Sequence, residues 1–358
     1  MRLSLAIGSV ALGAPRDYTG YTFEQYQEEF GKQYNGLDAD LRQGIFERNL
    51  ATIIAHNKEY DAGKQSWYMA VNPMADLTKE ELARMRGHNK ALSRSMPKQP
   101  STLRTESPES LPDSVDWRTK NVLTPVKNQG QCGSCWAFAS TESVESAYAI
   151  ATGKLIELAP QTYVSCAPNP THCGGTGGCE GSIQELAFNY TRDHGIAAAA
   201  DYPYTATDTL CKDYKPAVKV GGYVEVAPND PDALATALAN VGPVAVSVAA
   251  EQWSLYGGGI FTGCTGSTGT DVDHVVQAVG YSKDYWVIRN SWGPSWGEGG
   301  FIRLSRAKDA DVQQDTSPAD GFACEPFPKS VPVAGECGVL SDSAYPVGAR
   351  DAADSVLV

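Results

Sequence analysis

One short stretch of this 358-residue chain carries residues that could do covalent chemistry. It runs Gln-Gly-Gln-Cys-Gly-Ser-Cys-Trp over positions 129–136, and its second cysteine, Cys135, opens a helical pattern that Gly153 ends. The start of a helix offers unpaired N–H groups and partial positive charge, which favour the reactive thiolate. Cys132 and Cys135 could instead form a redox or metal pair, but neither a βαβ unit nor a second pair with zinc-like spacing accompanies them. We therefore predict that Cys135 is a nucleophile.

A nucleophilic thiol needs a base, and the chain has five histidines. Four of them lie before the linker or near polar loops, whereas His274 begins an apolar strand pattern, and a strand end can hold an imidazole rigidly. The base needs an orienting partner for its other nitrogen. Asn290 follows the next predicted strand, and two strands joined by a short turn would bring His274 and Asn290 side by side.

The elements that must position these residues divide the chain into a helical first part and a later part rich in strands. Helical spacing covers about Thr22 to Arg86, Ser134 to Thr152 and Ser182 to Asp193. Residues 91–110, rich in Ser, Pro and Thr, predict an exposed linker. Strand patterns occupy Val244–Val248, His274–Tyr281, Tyr285–Arg289 and Gly300–Leu304. This order indicates an α+β protein with two lobes.

Composition and the N-terminus indicate where such a protein works. A basic start, an apolar run to Leu12 and small residues after it are typical of a signal peptide, although a buried N-terminal strand has a similar pattern. No later segment has about 18 uninterrupted apolar residues, so no membrane anchor is expected. The net charge of −13 and the lack of a basic stripe argue against nucleic acid as a partner. Nine cysteines fit paired cysteines plus one free thiol.

These motifs resemble the papain family of cysteine proteases, in particular its cathepsin L-like branch. The resemblance rests on residues 129–136, on Asp273-His274 and on Asn-Ser-Trp-Gly-Pro-Ser-Trp-Gly at 290–297. His274 follows Cys135 by 139 residues, within the interval of about 130–150 that this family's signature expects. The resemblance implies an α+β, papain-like two-lobe fold, with a helical lobe plus a β-barrel-like lobe, preceded by a helical inhibitory propeptide.

The resemblance also implies residue roles. Cys135 attacks the scissile carbonyl, His274 exchanges protons, Asn290 orients the imidazole, and the Gln129 side chain forms the oxyanion hole with the Cys135 N–H. The implied protein is a monomeric cysteine endopeptidase without cofactor or metal, made as an acid-activated zymogen. It acts on proteins and peptides, and its own propeptide inhibits it. No long insertion obviously blocks the cleft as in cathepsin B, although exopeptidase trimming stays open.

The expected boundaries are a signal peptide at 1–14, an inhibitory propeptide with linker at 15–110 and a peptidase domain at 111–358. The propeptide assignment rests on a spaced helical motif from Asp38 to Asn57 and on Ala70-x-Asn72-x-Met74-x-Asp76, which departs from the family's second motif at two of four positions. We expect the secretory pathway, with a lysosome, a vacuole or the exterior as the destination. Processing is expected between about Glu106 and Pro112.

Family positions also suggest the cysteine pairs Cys132–Cys179, Cys166–Cys211 and Cys264–Cys337. Cys173 and Cys324 remain, and parity favours a fourth bond between them. The only glycosylation sequon begins at Asn189, which could equally be a bare helix residue.

The resemblance places Asp342 at the floor of the pocket for the second residue before the scissile bond. The other residues assigned to substrate binding are Val272, Val275, Ile183, Gln184, Ser182 and Trp296. A carboxylate at the floor would accept Arg or Lys, whereas Asp342 facing solvent would leave the apolar walls to decide. Two rival interpretations are a silent papain-like structural or binding protein and a secreted propeptide-like inhibitor, and the intact catalytic set argues against both.

Overall fold

The computed structural model describes residues 15–87, 111–264 and 270–354. The predicted signal peptide and residues 88–110, with most of the predicted linker and processing region, lie outside the described residues. Seven α-helices and fourteen β-strands form within the described ranges. The helices are α1 (Phe23–Phe30), α2 (Leu37–Asp61), α3 (Lys79–Arg84), α4 (Cys135–Thr152), α5 (Pro160–Cys166), α6 (Gln184–Asp193) and α7 (Pro231–Asn240). The strands are β1 (Trp67–Met69), β2 (Val115–Asp116), β3 (Ile196–Ala197), β4 (Pro216–Lys219), β5 (Gly222–Glu225), β6 (Val244–Val248), β7 (Tyr256–Phe261), β8 (His274–Tyr281), β9 (Tyr285–Arg289), β10 (Phe301–Ser305), β11 (Val312–Asp315), β12 (Val331–Ala334), β13 (Ser343–Val347) and β14 (Arg350–Asp351).

The N-terminal segment, residues 15–87, is helical as predicted and has its own small core. Thr22 and Thr78 each accept the backbone N–H three residues on, in capping boxes that begin α1 and α3. Aromatic side chains fill the space between α1 and α2, with the rings of Tyr26 and Phe46 stacked at 4.6 Å. Asp76 is fully buried and accepts a hydrogen bond from the Tyr26 hydroxyl at 2.8 Å. This core fixes the chain as far as Asp76, shortly before α3 begins at Lys79.

A nine-stranded sheet joins this segment to the rest of the protein. Its strand order is β1-β7-β10-β9-β8-β6-β13-β5, with β2 paired to β8. Edge strand β1 belongs to the N-terminal segment and runs antiparallel to β7, with Trp67 opposite Gly259. The sequence did not predict β1. Main-chain hydrogen bonds of this kind attach a foreign strand firmly to an exposed sheet edge.

Two hydrophobic cores define the two lobes. One core lies under the sheet and includes α7, and the other surrounds α4, α5 and α6. Predicted strands at 244–248, 274–281 and 285–289 coincide with β6, β8 and β9. Helix α7 was not predicted, although Asp230 caps it by accepting the backbone N–H groups of Asp232 and Ala233. Across the described ranges, no helix combines the length and the apolar character needed to cross a membrane.

Candidate active site

Cys135 is the first residue of α4, which Gly153 ends in the left-handed conformation at φ 73°. Its side chain is only 3% exposed. Burial raises the pKa of the Cys135 thiol to about 12, although hydrogen bonds from the backbone N–H groups of Val275 and Trp136 act to lower it. The thiol is therefore protonated in this closed state, in which the N-terminal segment covers the site, despite the position of Cys135 at a helix N-terminus.

His274 and Asn290 meet because β8 and β9 are antiparallel neighbours in the sheet. The His274 Nε2 lies 2.8 Å from the Asn290 Oδ1, which also accepts the Ser291 backbone N–H at 2.8 Å. Since that oxygen is an acceptor, the His274 Nε2 carries the proton and Nδ1 is left as the basic nitrogen. Nδ1 is buried and has no hydrogen-bond partner within the described ranges. Burial lowers the pKa of His274 to about 3, against the opposing effect of the Asn290 hydrogen bond.

Two tryptophans cover this histidine–asparagine pair. The Trp292 ring lies 5.0 Å from the His274 ring and is almost fully buried. Trp296, which was predicted to bind substrate, is wholly buried, and its indole N–H donates to the Trp253 carbonyl at 3.0 Å. It packs edge-on against Trp292 at 5.2 Å. With the N-terminal segment in place, Trp296 belongs to a hydrophobic core that includes Trp67 and Met85 of that segment, and its role in substrate binding stays a prediction.

Gln129 is fixed by three contacts with neighbouring loops. Its backbone N–H donates to the Ser291 carbonyl at 2.9 Å, and its side-chain oxygen accepts the Ser291 hydroxyl at 2.6 Å. Its side-chain NH₂ donates to the Cys132 carbonyl at 2.8 Å. That NH₂ group also donates to the Met85 carbonyl of the N-terminal segment at 2.7 Å. A carbonyl of another segment thus already occupies the donor that a reacting carbonyl would need.

The N-terminal segment crosses directly over the thiol. The Arg86 carbonyl lies 3.9 Å from the Cys135 sulfur. Gly87 then passes so close to Gly133 that a methyl group added at Gly133 would lie 2.6 Å from the Gly87 Cα. Only glycine at position 133 permits this approach. The crossing backbone covers Cys135, and burial is the main cause of the raised pKa of its thiol.

Arg86 makes a buried ion pair beside the catalytic histidine, which the sequence did not indicate. Its Nε lies 2.6 Å from the Asp273 Oδ2, and both side chains are 9% exposed. The other Asp273 oxygen accepts the Ala250 backbone N–H at 2.9 Å. Burial raises the pKa of Asp273 overall, and the Arg86 charge works against that rise.

Of the residues predicted for the second-residue pocket, Gln184 hydrogen-bonds to Asp342. The Asp342 Oδ2 accepts hydrogen bonds from the Gln184 side chain at 2.7 Å and from the Ser247 hydroxyl at 2.6 Å. Asp342 is half-buried. Burial, followed by the nearby Asp342 charge, raises the pKa of Glu185 well above its usual range. The other predicted members are buried in this closed state: Ser182, Ile183, Val272 and Val275.

The cysteines form four disulfide bonds, in the four pairs that the sequence analysis proposed. These are Cys132–Cys179, Cys166–Cys211, Cys264–Cys337 and Cys173–Cys324. Cys135 is the remaining free thiol among the nine cysteines, all of which are described.

A thiol beside a fixed imidazole, covered by a segment of its own chain, defines the class of thiol-dependent hydrolases made in an inhibited form. Comparison with known proteins agrees with this class. Residues 111–320 match the papain family cysteine protease domain, and residues 23–82 match the cathepsin propeptide inhibitor domain (I29). The chain belongs to the papain family of cysteine proteases. It is a cathepsin L-like cysteine endopeptidase preceded by a propeptide, the name used below for the N-terminal segment.

Similar proteins come from plants and animals. The senescence-specific cysteine protease SAG39 of Oryza sativa subsp. japonica is 37% identical over 315 residues, which cover 85% of this chain and 88% of that protein. Cathepsin L2 of Homo sapiens is 34% identical over 334 residues, with 86% and 96% covered. The solved structure of digestive procathepsin L 3 from Tenebrio molitor larval midgut superposes with a TM-score of 0.73 at 31% identity, covering 90% of this chain and 97% of that chain.

Proposed function

We propose that this endopeptidase cleaves peptide bonds through Cys135, His274 and Asn290, with Gln129 in the oxyanion hole. One observation carries the proposal. The propeptide backbone lies over the sulfur, with the Arg86 carbonyl 3.9 Å from it, while the Met85 carbonyl takes the Gln129 NH₂ at 2.7 Å. A substrate carbonyl in the same groove would meet both the nucleophile and a donor for its developing negative charge.

The geometry supports a definite order of proton movements. The Asn290 oxygen holds the His274 Nε2–H, so Nδ1 takes the Cys135 proton. The thiolate attacks the carbonyl carbon, and the oxyanion receives hydrogen bonds from Gln129 and from the Cys135 backbone N–H. His274 then gives the proton to the leaving amine, and water attacks the thioester to free the acyl product and restore the thiol.

We further propose that acid releases the propeptide. Inside the propeptide, both terminal nitrogens of Arg42 contact the Glu81 carboxylate, with one of them 2.7 Å from the Oε1. Chiefly through these hydrogen bonds, Arg42 lowers the pKa of Glu81 to about 2, against the opposing effect of burial. Glu81 lies on α3, which leads straight to the segment over Cys135. Protonating Glu81 removes a contact that holds α3 in place.

We propose that Asp342 makes the second-residue pocket accept basic side chains. The hydrogen bonds from Gln184, a predicted wall of the pocket, and from Ser247 fix the position of its carboxylate. Val272, Val275 and Ile183 supply apolar walls, so the pocket also takes Leu or Phe. We expect the enzyme to act on proteins and peptides as a monomer without a cofactor. We also expect the signal peptide to end at residue 14, the propeptide with its linker to end at residue 110, and the protein to enter the secretory pathway.

The direct test of the catalytic assignment is labelling with an epoxide-type inhibitor of thiol proteases. After incubation in acid, we expect one label on Cys135 and new hydrolysis of fluorogenic peptides, and neither in the matched variant Cys135→Ser. Edman sequencing of the processed protein locates the new amino terminus. Folded, processed protein that takes up no label at Cys135 would contradict the assignment.

A further inference from the structure

The chain between β10 and Cys337 forms an insertion that sits on the sheet lobe and reaches the helical lobe. Strands β11 and β12 pair as an antiparallel hairpin, with Val312 opposite Ala334. The hairpin connection contains residues 321–325, which we call the bridge segment. No sequence pattern indicated where this segment lies, although cysteine parity favoured the bond between Cys173 and Cys324.

On the helical lobe, the bridge segment is bonded to the glycine-rich loop that precedes Cys179. The disulfide Cys173–Cys324 is the covalent link. The Gly174 backbone N–H donates to the Ala323 carbonyl at 3.1 Å, and the Glu325 N–H donates to the Thr171 carbonyl at 3.0 Å. Two hydrogen bonds and a disulfide within a few residues fix the bridge segment to this lobe.

On the sheet lobe, the bridge segment touches the loop that leads to His274. A methyl group added at Gly321 would lie 2.2 Å from the Val272 carbonyl oxygen. The Val272 backbone N–H in turn donates to the Asp315 carboxylate at 3.3 Å. The segment is therefore attached to both lobes, and it crosses from one to the other.

The crossing lies at the pocket proposed for the second substrate residue. Ile183 and Val272 are walls of that pocket on opposite lobes. A methyl group added at Gly174 would lie 2.2 Å from the Gly321 carbonyl oxygen and 3.1 Å from the Ile183 Cγ2. Gly174 and Gly321 thus lie between the two walls, and their backbones narrow the space there for a further residue of a bound chain.

The bound propeptide shows how far the groove extends from the position over Cys135 to the glycine-rich loop. A methyl group added at Gly181 would lie 2.8 Å from the Gly87 carbonyl oxygen and 2.2 Å from the Gly174 carbonyl oxygen. Gly87 is the residue next to Arg86, whose carbonyl lies over the sulfur. A chain in the groove therefore lies against the glycine-rich loop one residue beyond the position over Cys135.

We propose that the bridge segment narrows the cleft beyond the second-residue pocket, so that the processed enzyme releases dipeptides from free amino termini in addition to cutting internal bonds. This inference rests on the proposed function. The chemistry is the same hydrolysis: the bond after the second residue breaks, the dipeptide acyl group passes to Cys135 and then to water, and His274 protonates the leaving amine. The carbonyl oxygens of Gly174 and Gly321 are acceptors that suit the free ammonium group of a substrate.

The test compares two fluorogenic substrates on enzyme processed from the full-length chain. One is Phe-Arg-aminomethylcoumarin with a free amino group, and the other carries one additional alanine before the phenylalanine. We expect kcat/KM to be higher for the shorter peptide by about tenfold or more, as for a site that one additional residue overfills. Equal or faster hydrolysis of the longer peptide overturns the inference alone. If neither peptide is cleaved and Cys135 takes up no epoxide label, the proposed function fails and the inference fails with it.

A variant pair isolates the bridge segment. Cys173→Ser with Cys324→Ser frees it from the helical lobe, whereas Cys166→Ser with Cys211→Ser removes a disulfide of the same lobe that does not cross the cleft. The first variant should bring hydrolysis of the longer peptide close to that of the shorter one, and the second should leave the ratio unchanged. If both variants show the same ratio as the unaltered enzyme, the bridge segment does not set substrate length.

Product mapping needs no variant and decides the matter if the first double substitution prevents folding. The processed enzyme is given a ten-residue peptide with a free amino terminus, and its products are followed by mass spectrometry. Successive loss of dipeptides from that end, abolished by acetylating the terminus, is expected. Internal fragments without any loss of dipeptides from the free amino terminus would overturn the inference.

Discussion

The Arg86–Asp273 ion pair is the contact whose loss should open the zymogen most. It joins the propeptide to the residue before His274 at 2.6 Å, with both side chains 9% exposed. Changing Arg86→Met keeps most of the side-chain volume but leaves the Asp273 carboxylate buried and unpaired. Removing one partner of a buried ion pair typically costs about 3–5 kcal/mol.

The lower end of that range is the relevant one here, because opening the cleft returns Asp273 to water. A cost of about 3 kcal/mol corresponds to an increase of about 100-fold in the open population, at about tenfold for each 1.4 kcal/mol. The assay is the rate at which the epoxide inhibitor labels Cys135 in unprocessed protein at neutral pH. Dividing each rate by that of the same variant after processing removes any effect on the thiol itself.

The matched control is Arg16→Met, which breaks the exposed Arg16–Glu29 pair of the same propeptide. Exposed pairs contribute about 0–1 kcal/mol, so this variant should label at nearly the unaltered rate. The further change Asp273→Asn in the Arg86→Met background removes the unpaired charge and should slow labelling again. Labelling of Arg86→Met no faster than of Arg16→Met would refute the reasoning.

Three further predictions concern acid release, specificity and the imidazole. Glu81→Gln should shift autoprocessing to higher pH. The pKa of Glu81 is about 2 in the folded propeptide against an ordinary 4.5. The ionised Glu81 side chain therefore stabilises the folded propeptide fully above pH 4.5, and this stabilisation is lost as the pH falls toward 2. A processing profile on gels that matches the unaltered protein would contradict this. Asp342→Ala should lower hydrolysis of Arg-Arg relative to Phe-Arg peptides by about tenfold. An unchanged ratio would show that the Asp342 carboxylate does not determine the preference for basic side chains. Asn290→Ala should lower kcat by about 100-fold or more with KM little changed, whereas Asn189→Ala should alter neither.

Local patterns were enough to predict the elements that carry the catalytic set. Helix α4 follows from the apolar spacing after Ser134 and from Gly153, and β8 and β9 follow from two β-rich runs around a short turn. Strand β1 could not be predicted in this way, because three residues carry little periodicity and its partner β7 lies almost 200 positions further along the chain. Helix α7 had a usable signal, an aspartate cap followed by proline, that the surrounding strand patterns concealed.

The candidate site shows the same division between residues that local patterns predict and residues that only the fold brings into place. Local motifs were enough to predict the catalytic roles of four residues, Cys135, His274, Asn290 and Gln129. Arg86 is different, since an arginine before a polar linker is ordinarily a solvated charge, and only the fold brings it to a carboxylate 187 positions away. Cysteine parity likewise proposed the Cys173–Cys324 bond, but the sequence holds no information on the cleft that this bond crosses.

The bridge segment and the propeptide should respond to acid in opposite directions. Asp315, at the end of β11, is buried and hydrogen-bonds to Asp271, and burial, followed by the Asp271 charge, raises the pKa of Asp315 to about 7. A carboxyl whose pKa is raised in the folded state stabilises that state when protonated, so this attachment is strongest in acid and weakens as the pH rises through 7. Two further pairs of charged groups adjoin the insertion: Lys308 and Glu336 lie 3.4 Å apart, and His172 of the helical lobe lies 3.1 Å from Glu325 of the bridge segment.

Falling pH therefore strengthens the bridge-segment attachment first, as Asp315 is protonated around pH 7, and weakens the propeptide through Glu81 only below pH 4.5. The disulfide to Cys173 is untouched by either process. The preference for the shorter fluorogenic peptide should consequently increase as the pH is lowered from 7 toward 4 in processed enzyme. Asp315→Asn keeps the hydrogen-bonding shape without the charge, so its preference should stay at the acidic value across that range. A preference that varies with pH equally in both proteins would show that the Asp271–Asp315 pair does not control the bridge segment.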